Sequence, residues 1–342
     1  MNLTFNRSSS LKSALLLIAP FFLWGTAMVA MKGVLSQTTP FFMAGVRLVP
    51  AGVLVLLVAW WLKRPQPQGI KAWFWITLFA LLDATMFQGF LAAGLTQTGA
   101  GLGSVIIDSQ PLIVALLSCW LFSEIIGFWG WIGLGFGILG ISLIGLPKQW
   151  FDGLFYSQTF SLTFNGLDLL NSGELLMLLA SLSMAAGTVC IRYVSRYVDP
   201  VVATGWHMIL GGIPLFLMSG MWESHQWTEI NLQGWLSLGY STIFGSAIAY
   251  GIFFYLASKG NLTSLSSLTF LTPVFALSFG NLFLNEVLTS WQWIGVSLTL
   301  ISIYLINQRE MISKQLRYLR IKFLGLSKRT WGKLSETIFS WQ

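Results

Sequence analysis

Charge is scarce in this sequence: 12 acidic and 19 basic side chains serve 342 residues. Charged residues make up 9% and hydrophobic residues 55%, against roughly 25% charged in an average soluble domain. So few charges cannot cover a water-facing surface, which excludes a soluble globular protein and makes lipid the natural solvent. Cysteine and histidine are scarcer still, two of each. Cys119 and Cys190 both fall in apolar runs and give neither a disulfide framework nor metal spacing. His207 and His225 cannot build a metal centre at their separation. No metal and no cofactor are expected.

What the chain has instead is long apolar runs. Ten of them, at 14–33, 40–62, 72–95, 99–121, 127–146, 174–195, 201–221, 234–256, 262–284 and 290–308, are each long enough to cross ~30 Å of hydrocarbon as helix. A membrane β-barrel would show short alternating segments instead. The expected fold is an all-α polytopic membrane protein with ten transmembrane helices. The first run follows Arg7 and Lys12 like a signal peptide, but belongs to the repeat below and is read as retained.

Basic residues orient the chain. With the N-terminus inside, the cytoplasmic segments hold Arg7, Lys12, Lys63, Arg64, Lys71, Arg192, Arg196, Lys259 and the eight basic residues after 308. Outside lie Lys148 in a loop and Lys32 at a span end, with Arg47 inside a span. Both termini are expected in the cytoplasm. In the tail, Leu316, Leu319, Phe323 and Leu326 alternate at helical spacing with Arg317, Arg320 and Lys322, the pattern of a basic amphipathic helix on an anionic leaflet. Topology thus accounts for the net charge of +7, and no nucleic-acid partner is needed.

The chain also repeats itself. FSEIIGFWGWIG at 122–133 returns as LNEVLTSWQWIG at 284–295, aligning Glu124 with Glu286, Trp129 with Trp291, and Gly133 with Gly295. At the same offset of 162, Gly25 matches Gly187, Ser104 matches Ser266 and Pro111 matches Pro273. A slip to 160 aligns Pro40 with Pro200, Gly45 with Gly205, Arg47 with His207 and Gly52 with Gly212. Each copy holds five spans, and an odd number forces the second copy to enter from the opposite side. The expected organisation is a first five-helix repeat over 1–146, an extracytoplasmic connecting loop over 147–173, a second five-helix repeat over 174–308, and a basic cytoplasmic tail over 309–342. Inverted repeats of this kind build carriers with a midplane site between their halves.

Several residues are candidates for that site. Glu124 and Glu286, each behind a small polar residue (Ser123, Asn285), suit helix-start caps, with gating as the functional alternative. Pro111 and Pro273 each free a carbonyl that a substrate, a water or a neighbouring Ser/Thr must satisfy. Gly101, Ser104, Asp108 and Pro111 share one face of the fourth span, and Thr263, Ser266 and Pro273 form the related stripe in the ninth. Hinge and close packing compete with cavity lining for both stripes.

Ionisable residues inside spans cost about 2.5–3.5 kcal/mol each unless paired or hydrated. Arg47, Asp83 and Asp108 are such residues, and His207 stands at the cytoplasmic end of the seventh span. Counting 1.5 Å per residue puts Arg47 about 10 Å and Asp108 about 14 Å below the outer face, so an Arg47–Asp108 pair is within reach. Two readings stay open: proton uptake by Asp83 or Asp108 with Arg47 holding a substrate carboxylate or phosphate, or a static buried pair fixing helix register. Gln88, which aligns with Tyr250, is polar at membrane depth, and Trp24 and Tyr250 suit either packing or cavity lining. The glycines between 127 and 140 fit internal packing and a homodimer contact alike.

Trp24-Gly25-Thr26 in the first span, and the Pro, Glu, Trp and Gly that close each half (Pro111, Glu124, Trp129, Gly133; Pro273, Glu286, Trp291, Gly295), resemble the EamA-type drug/metabolite transporters. The resemblance runs over about residues 12–308. It implies secondary transport of small organic solutes, commonly export, without an ATP-hydrolysing domain, and it implies no particular substrate. The second half departs from the first, with Ala186 for Trp24 and Phe270 for Asp108. The expected function is alternating-access transport of a small-molecule substrate in a cell (plasma or inner) membrane, an organellar membrane being the alternative.

Other classes fare less well. A passive channel or a membrane scaffold shares the span pattern. An intramembrane enzyme using Asp83 and Asp108 would be a proteolytic dyad, but Leu82-Asp83 and Ile107-Asp108 lack the Tyr-Asp and Gly-x-Gly-Asp contexts of presenilin-type proteases. The run GAGLGS at 99–104 has neither the strand nor the lysine of a phosphate loop.

Overall fold

The computed structural model describes residues 10–32, 34, 36–97, 106–145, 173–284 and 289–323, and every regular element among them is helical. Gly101, Ser104, Glu286, the connecting loop and the distal tail lie outside the described residues. The first half contains α1 (Ser10–Lys32), α2 (Pro40–Trp61), α3 (Gly69–Phe79), a π-helical segment (Ala80–Met86), α4 (Phe87–Leu95), α5 (Gln110–Phe122) and α6 (Gly127–Gly145). The second contains α7 (Gly173–Val194), α8 (Pro200–Trp222), α9 (Leu232–Tyr240), a second π segment (Ser241–Ile248), α10 (Ala249–Lys259), α11 (Leu262–Ser266), a 3-10 turn (Ser267–Phe270), α12 (Leu271–Leu284) and α13 (Ser290–Phe323).

Local chemistry sets the helix starts. Pro40 and Pro200 open α2 and α8, where a missing N–H costs nothing. Asp199 accepts from the N–H groups of Val201 and Val202, Asn231 from Gly234, and Asn261 from Ser264. Among the described residues, seven helices are long and apolar enough to cross a membrane, while Ile106–Phe122 and Leu262–Ala276 are shorter apolar helices. Those two belong to the predicted fourth and ninth spans, and the turn at Ser109 and the 3-10 turn at Ser267–Phe270 lie within them.

The molecule is inside-out by the standards of water. Leu57, Val58, Trp60, Trp120, Leu217 and Leu236 are exposed, whereas Arg47, Asp83, Gln88, Gln110 and His207 are buried. An apolar exterior over a polar interior is the arrangement lipid requires.

The two halves meet through antiparallel helices. Along α2 and α8, contact runs from Gly45 with Phe216, through Val49 with Gly212 and Gly52 with Ile209, to Leu56 with Gly205. Along α6 and α13, Gly130 meets Arg309, Gly133 meets Ile306 and Gly140 meets Thr299. The contacts also assign the glycine run an internal role. A Cβ on Gly295 would stand 2.7 Å from the Gly140 carbonyl, and Gly137 lies against Phe270, whereas a Cβ on Gly135 would meet nothing within 4 Å.

α13 continues through residue 308 as one 34-residue helix, about 51 Å long against the ~30 Å of hydrocarbon. Arg309, at 9% exposure, is bonded to Ser264 of α11 and to Asn261, the cap of that helix.

Candidate functional site

The two π segments occupy equivalent positions of the two repeats, and the polar centre is built around them. Just past them, Gln88 Nε2 donates to the Tyr250 hydroxyl at 3.0 Å, both residues buried. The Trp24 ring lies 5.1 Å from that of Tyr250, and its buried Nε1 has no hydrogen-bond partner. Phe253 and Phe21 complete the aromatic wall around Trp24.

Each second-span basic side chain, Arg47 and His207, faces the π segment of the opposite half. His207 on α8 brings Nε2 to 3.3 Å from Asp83 Oδ2, with both side chains 1% exposed, although the approach is off the line of a hydrogen bond. Arg47 on α2 reaches Ser246 Oγ at 3.5 Å through Nη2, and its buried Nε has no partner among the described residues. Gly187 and Gly211 make room for the first of these contacts, because a Cβ at Gly187 would stand 2.5 Å from Asp83 and one at Gly211 would run into Ala84.

The His207–Asp83 geometry constrains its protons. His207 Nδ1 lies 2.6 Å from the Thr204 carbonyl, which can only accept, so Nδ1 carries a hydrogen. An unprotonated Nε2 would then turn a lone pair toward a carboxylate oxygen. The contact is favourable only when one further proton resides on the pair, on either partner. Phe79 and Phe254 pack on the imidazole, and Cys190 and Tyr250 are the titratable side chains in electrostatic contact with Asp83.

The Arg47–Asp108 pair does not form. Depth alone had put them within reach, but α2 packs on α8, α9, α4 and the second π segment, whereas the helix after Asp108 packs on α7 and α11. No described residue partners the Asp108 carboxylate. Pro111 lies in the first turn of α5 and not in mid-helix, and the Ile107 carbonyl that it frees accepts from Ser181 Oγ of α7 at 3.4 Å. A neighbouring serine thus satisfies it, one of the expected solutions. Gln110 bridges to Thr188 at 3.1 Å. Ser266 is buried and bonded to the Thr263 carbonyl of its own turn, and Pro273 lies in the first turn of α12.

Glu124 acts across the halves. It was expected to cap the following helix, α6. Instead its Oε1 accepts from Leu262 N at 3.2 Å, and its Oε2 from Thr263 N at 3.4 Å and Thr263 Oγ1 at 2.9 Å, capping α11 of the other repeat. Arg192 Nη2 pairs with Glu124 Oε1 at 3.0 Å and also donates to the Gly260 carbonyl. At the opposite end of the bundle, Glu223 takes the same part for α2, accepting from Thr39 Oγ1 at 2.7 Å and from the N–H groups of Phe41 and Phe42. Arg64 pairs with Asp199, the cap of α8, at 3.2 Å.

Sequence reasoning missed Glu223, Ser246, Ser181 and Arg192 as partners. Glu223 had a readable signal, an acid at a span end, but nothing pointed it to a helix start 181 to 184 residues away. Among the described residues, no group of three His, Cys, Asp or Glu side chains could hold a metal ion.

A helical bundle with an apolar exterior, two copies of one five-element plan and a buried polar seam can be set beside known proteins. The pattern of the EamA-like transporter family matches twice, over residues 11–146 and 171–308. The chain belongs to the EamA-like transporter family. It is a multi-pass membrane transporter, and among its relatives is an uncharacterized transporter of Synechocystis sp., 67% identical over 93% of this chain and 96% of that one. A WAT1-related, chloroplastic protein of Arabidopsis thaliana is 51% identical over 88% of this chain and 73% of its own. The uncharacterized inner membrane transporter YedA of Escherichia coli is 25% identical over 85% and 89%. A solved crystal structure covers 91% of this EamA-like transporter and 99% of its own chain with a TM-score of 0.71 at 16% identity, showing the shared fold.

Proposed function

We propose that this EamA-like transporter is a secondary active carrier that exports small organic metabolites from the cytoplasm by alternating access, with proton movement coupled through Asp83 and His207. The observation that carries the reading is the Asp83–His207 contact, 1% exposed, between a π segment of one half and α8 of the other. A proton-binding pair at the joint between two moving bodies changes its surroundings whenever the halves rock. The asymmetry of the two repeats, with Gly245 at the position equivalent to Asp83, suits one coupling site per molecule.

The clasps at the two ends of the bundle fit the same mechanism. Glu124 with Arg192 and α11, and Glu223 with the start of α2, tie the halves together at opposite ends, and alternating access requires such ties to break in turn. The cytoplasmic placement of both termini and of the Glu124 end rests on the distribution of lysine and arginine. A cell membrane location is supported by the E. coli relative, named an inner membrane transporter; the Arabidopsis relative, described as chloroplastic, favours the organellar alternative.

Solute counterflow in proteoliposomes tests the carrier. A mixed panel of amino acids, organic acids, nucleotides and sugars is offered to vesicles preloaded with the same solute. Saturable exchange of one class is expected, and flux that rises linearly without countertransport would indicate a channel instead.

A further inference from the structure

Arg47 is buried, 7% exposed, and meets no carboxylate among the described residues. Its repeat equivalent, His207, has Asp83; at the position equivalent to Asp83 stands Gly245, and the polar contact left to Arg47 is Ser246 Oγ at 3.5 Å. A cation held in a membrane bundle without a counter-charge marks a place where one arrives with a ligand.

We propose that Arg47 binds the carboxylate of a small organic monoanion, the transported solute, with Trp24 and Tyr250 as its further donors; the inference rests on the carrier reading above. Arg47 Nε and Trp24 Nε1 are both buried, and no described residue accepts a hydrogen bond from either. The Tyr250 oxygen already accepts from Gln88 Nε2 at 3.0 Å, which leaves its own hydrogen free to donate. Tyr250 links the two: its ring lies against Trp24 at 5.1 Å, and it stands one turn beyond Ser246, the residue that Arg47 reaches. A carboxylate, which only accepts and takes two parallel bonds from a guanidinium, complements this set.

Charge counting selects a monoanion. With its shared proton, the Asp83–His207 pair is neutral overall, so the polar centre carries the single positive charge of Arg47. One negative charge balances it, whereas a phosphate dianion would leave an excess charge in the membrane interior.

The probes are acetate, pyruvate and benzoate, with benzamide as the uncharged twin of benzoate and phenyl phosphate as the dianion. Ligand-induced thermal stabilisation of the purified full-length protein is read first, then counterflow of whichever probe binds. At least one monocarboxylate is expected to bind, with benzamide and phenyl phosphate at least tenfold weaker than benzoate. In Arg47→Gln the affinity falls at least about thirtyfold, the loss expected when one partner of a buried charged hydrogen bond is removed, and Arg47→Lys restores part of it. Trp24→Phe, which keeps the ring and removes one donor, lowers affinity without abolishing it, and serves if Arg47→Gln does not fold. Failure of all three carboxylates to bind, equal binding of benzamide or phenyl phosphate, or undiminished affinity in Arg47→Gln overturns the proposal. Exchange of an uncharged or cationic solute alone would overturn the anion site and leave the carrier standing. Binding of a carboxylate without exchange of any solute would overturn both the carrier and the claim that this anion is its cargo.

Discussion

Gln88 and Tyr250 are 162 residues apart, occupy the same position in their two repeats, and are joined by a buried hydrogen bond of 3.0 Å. A residue that touches its own repeat equivalent must lie on the axis relating the two copies. The bond therefore marks the centre of the molecule. Gln88→Leu and Tyr250→Phe are each expected to cost about 1 kcal/mol, with a coupling of similar size in the double mutant. Unfolding in mixed micelles measures it, and strictly additive losses would mean that the bond contributes nothing.

Asp83→Asn keeps the shape of the site and removes its capacity to share a proton with His207. Solute exchange is expected to persist, while proton movement accompanying net solute flux disappears, as read by a pH-sensitive dye inside lightly buffered vesicles. An unchanged proton signal in the variant would remove Asp83 from coupling.

Removal of the Glu124 carboxylate strips a partner from two backbone N–H groups, a hydroxyl and Arg192 at once. Glu124→Ala is expected to destabilise the protein by about 2 kcal/mol, the upper range for a helix cap. Arg192→Met should cost under about 1 kcal/mol, since that side chain is 20% exposed against 9% for Glu124 and its pair is partly hydrated. Equal losses in a thermal melt would show that the ion pair, and not the cap, dominates.

Gly295→Val pushes a side chain into the Gly140 carbonyl, where a Cβ alone would stand at 2.7 Å. Overpacking of this kind costs roughly 1–3 kcal/mol. Gly135→Ala meets nothing within 4 Å and should raise stability by up to about 1 kcal/mol through helix propensity. Light scattering on Gly135→Leu tests the remaining dimer contact: an unchanged mass leaves the glycine run wholly internal.

The repeat was legible because glycine and proline register is a local record: Gly45, Gly52, Gly205 and Gly212 stood at matching positions, and all four lie at the α2–α8 crossing. The membrane-depth ionisable residues were legible too, since Arg47, Asp83 and His207 all belong to the polar centre. Their partners were not. Depth counted along straight helices joined Arg47 to Asp108, whose helices are not neighbours, and no sequence pattern joined Asp83 to His207, whose side chains meet. The first π segment does not announce itself: Ala80–Met86 contains no glycine or proline.

Taken alone, the chain determined its solvent, its all-helical character and the repeat to which the family pattern matches twice. Those properties are sums over some twenty residues at a time, or matches at a constant offset, and no single contact can overturn them. Tertiary structure decided which charges meet. One residue turns a helix face by about 100°, and a partner depends on which faces two antiparallel helices present at their crossing. That is how Glu124 came to cap a helix of the other half, and how His207 obtained a carboxylate while its counterpart Arg47 met only a serine hydroxyl.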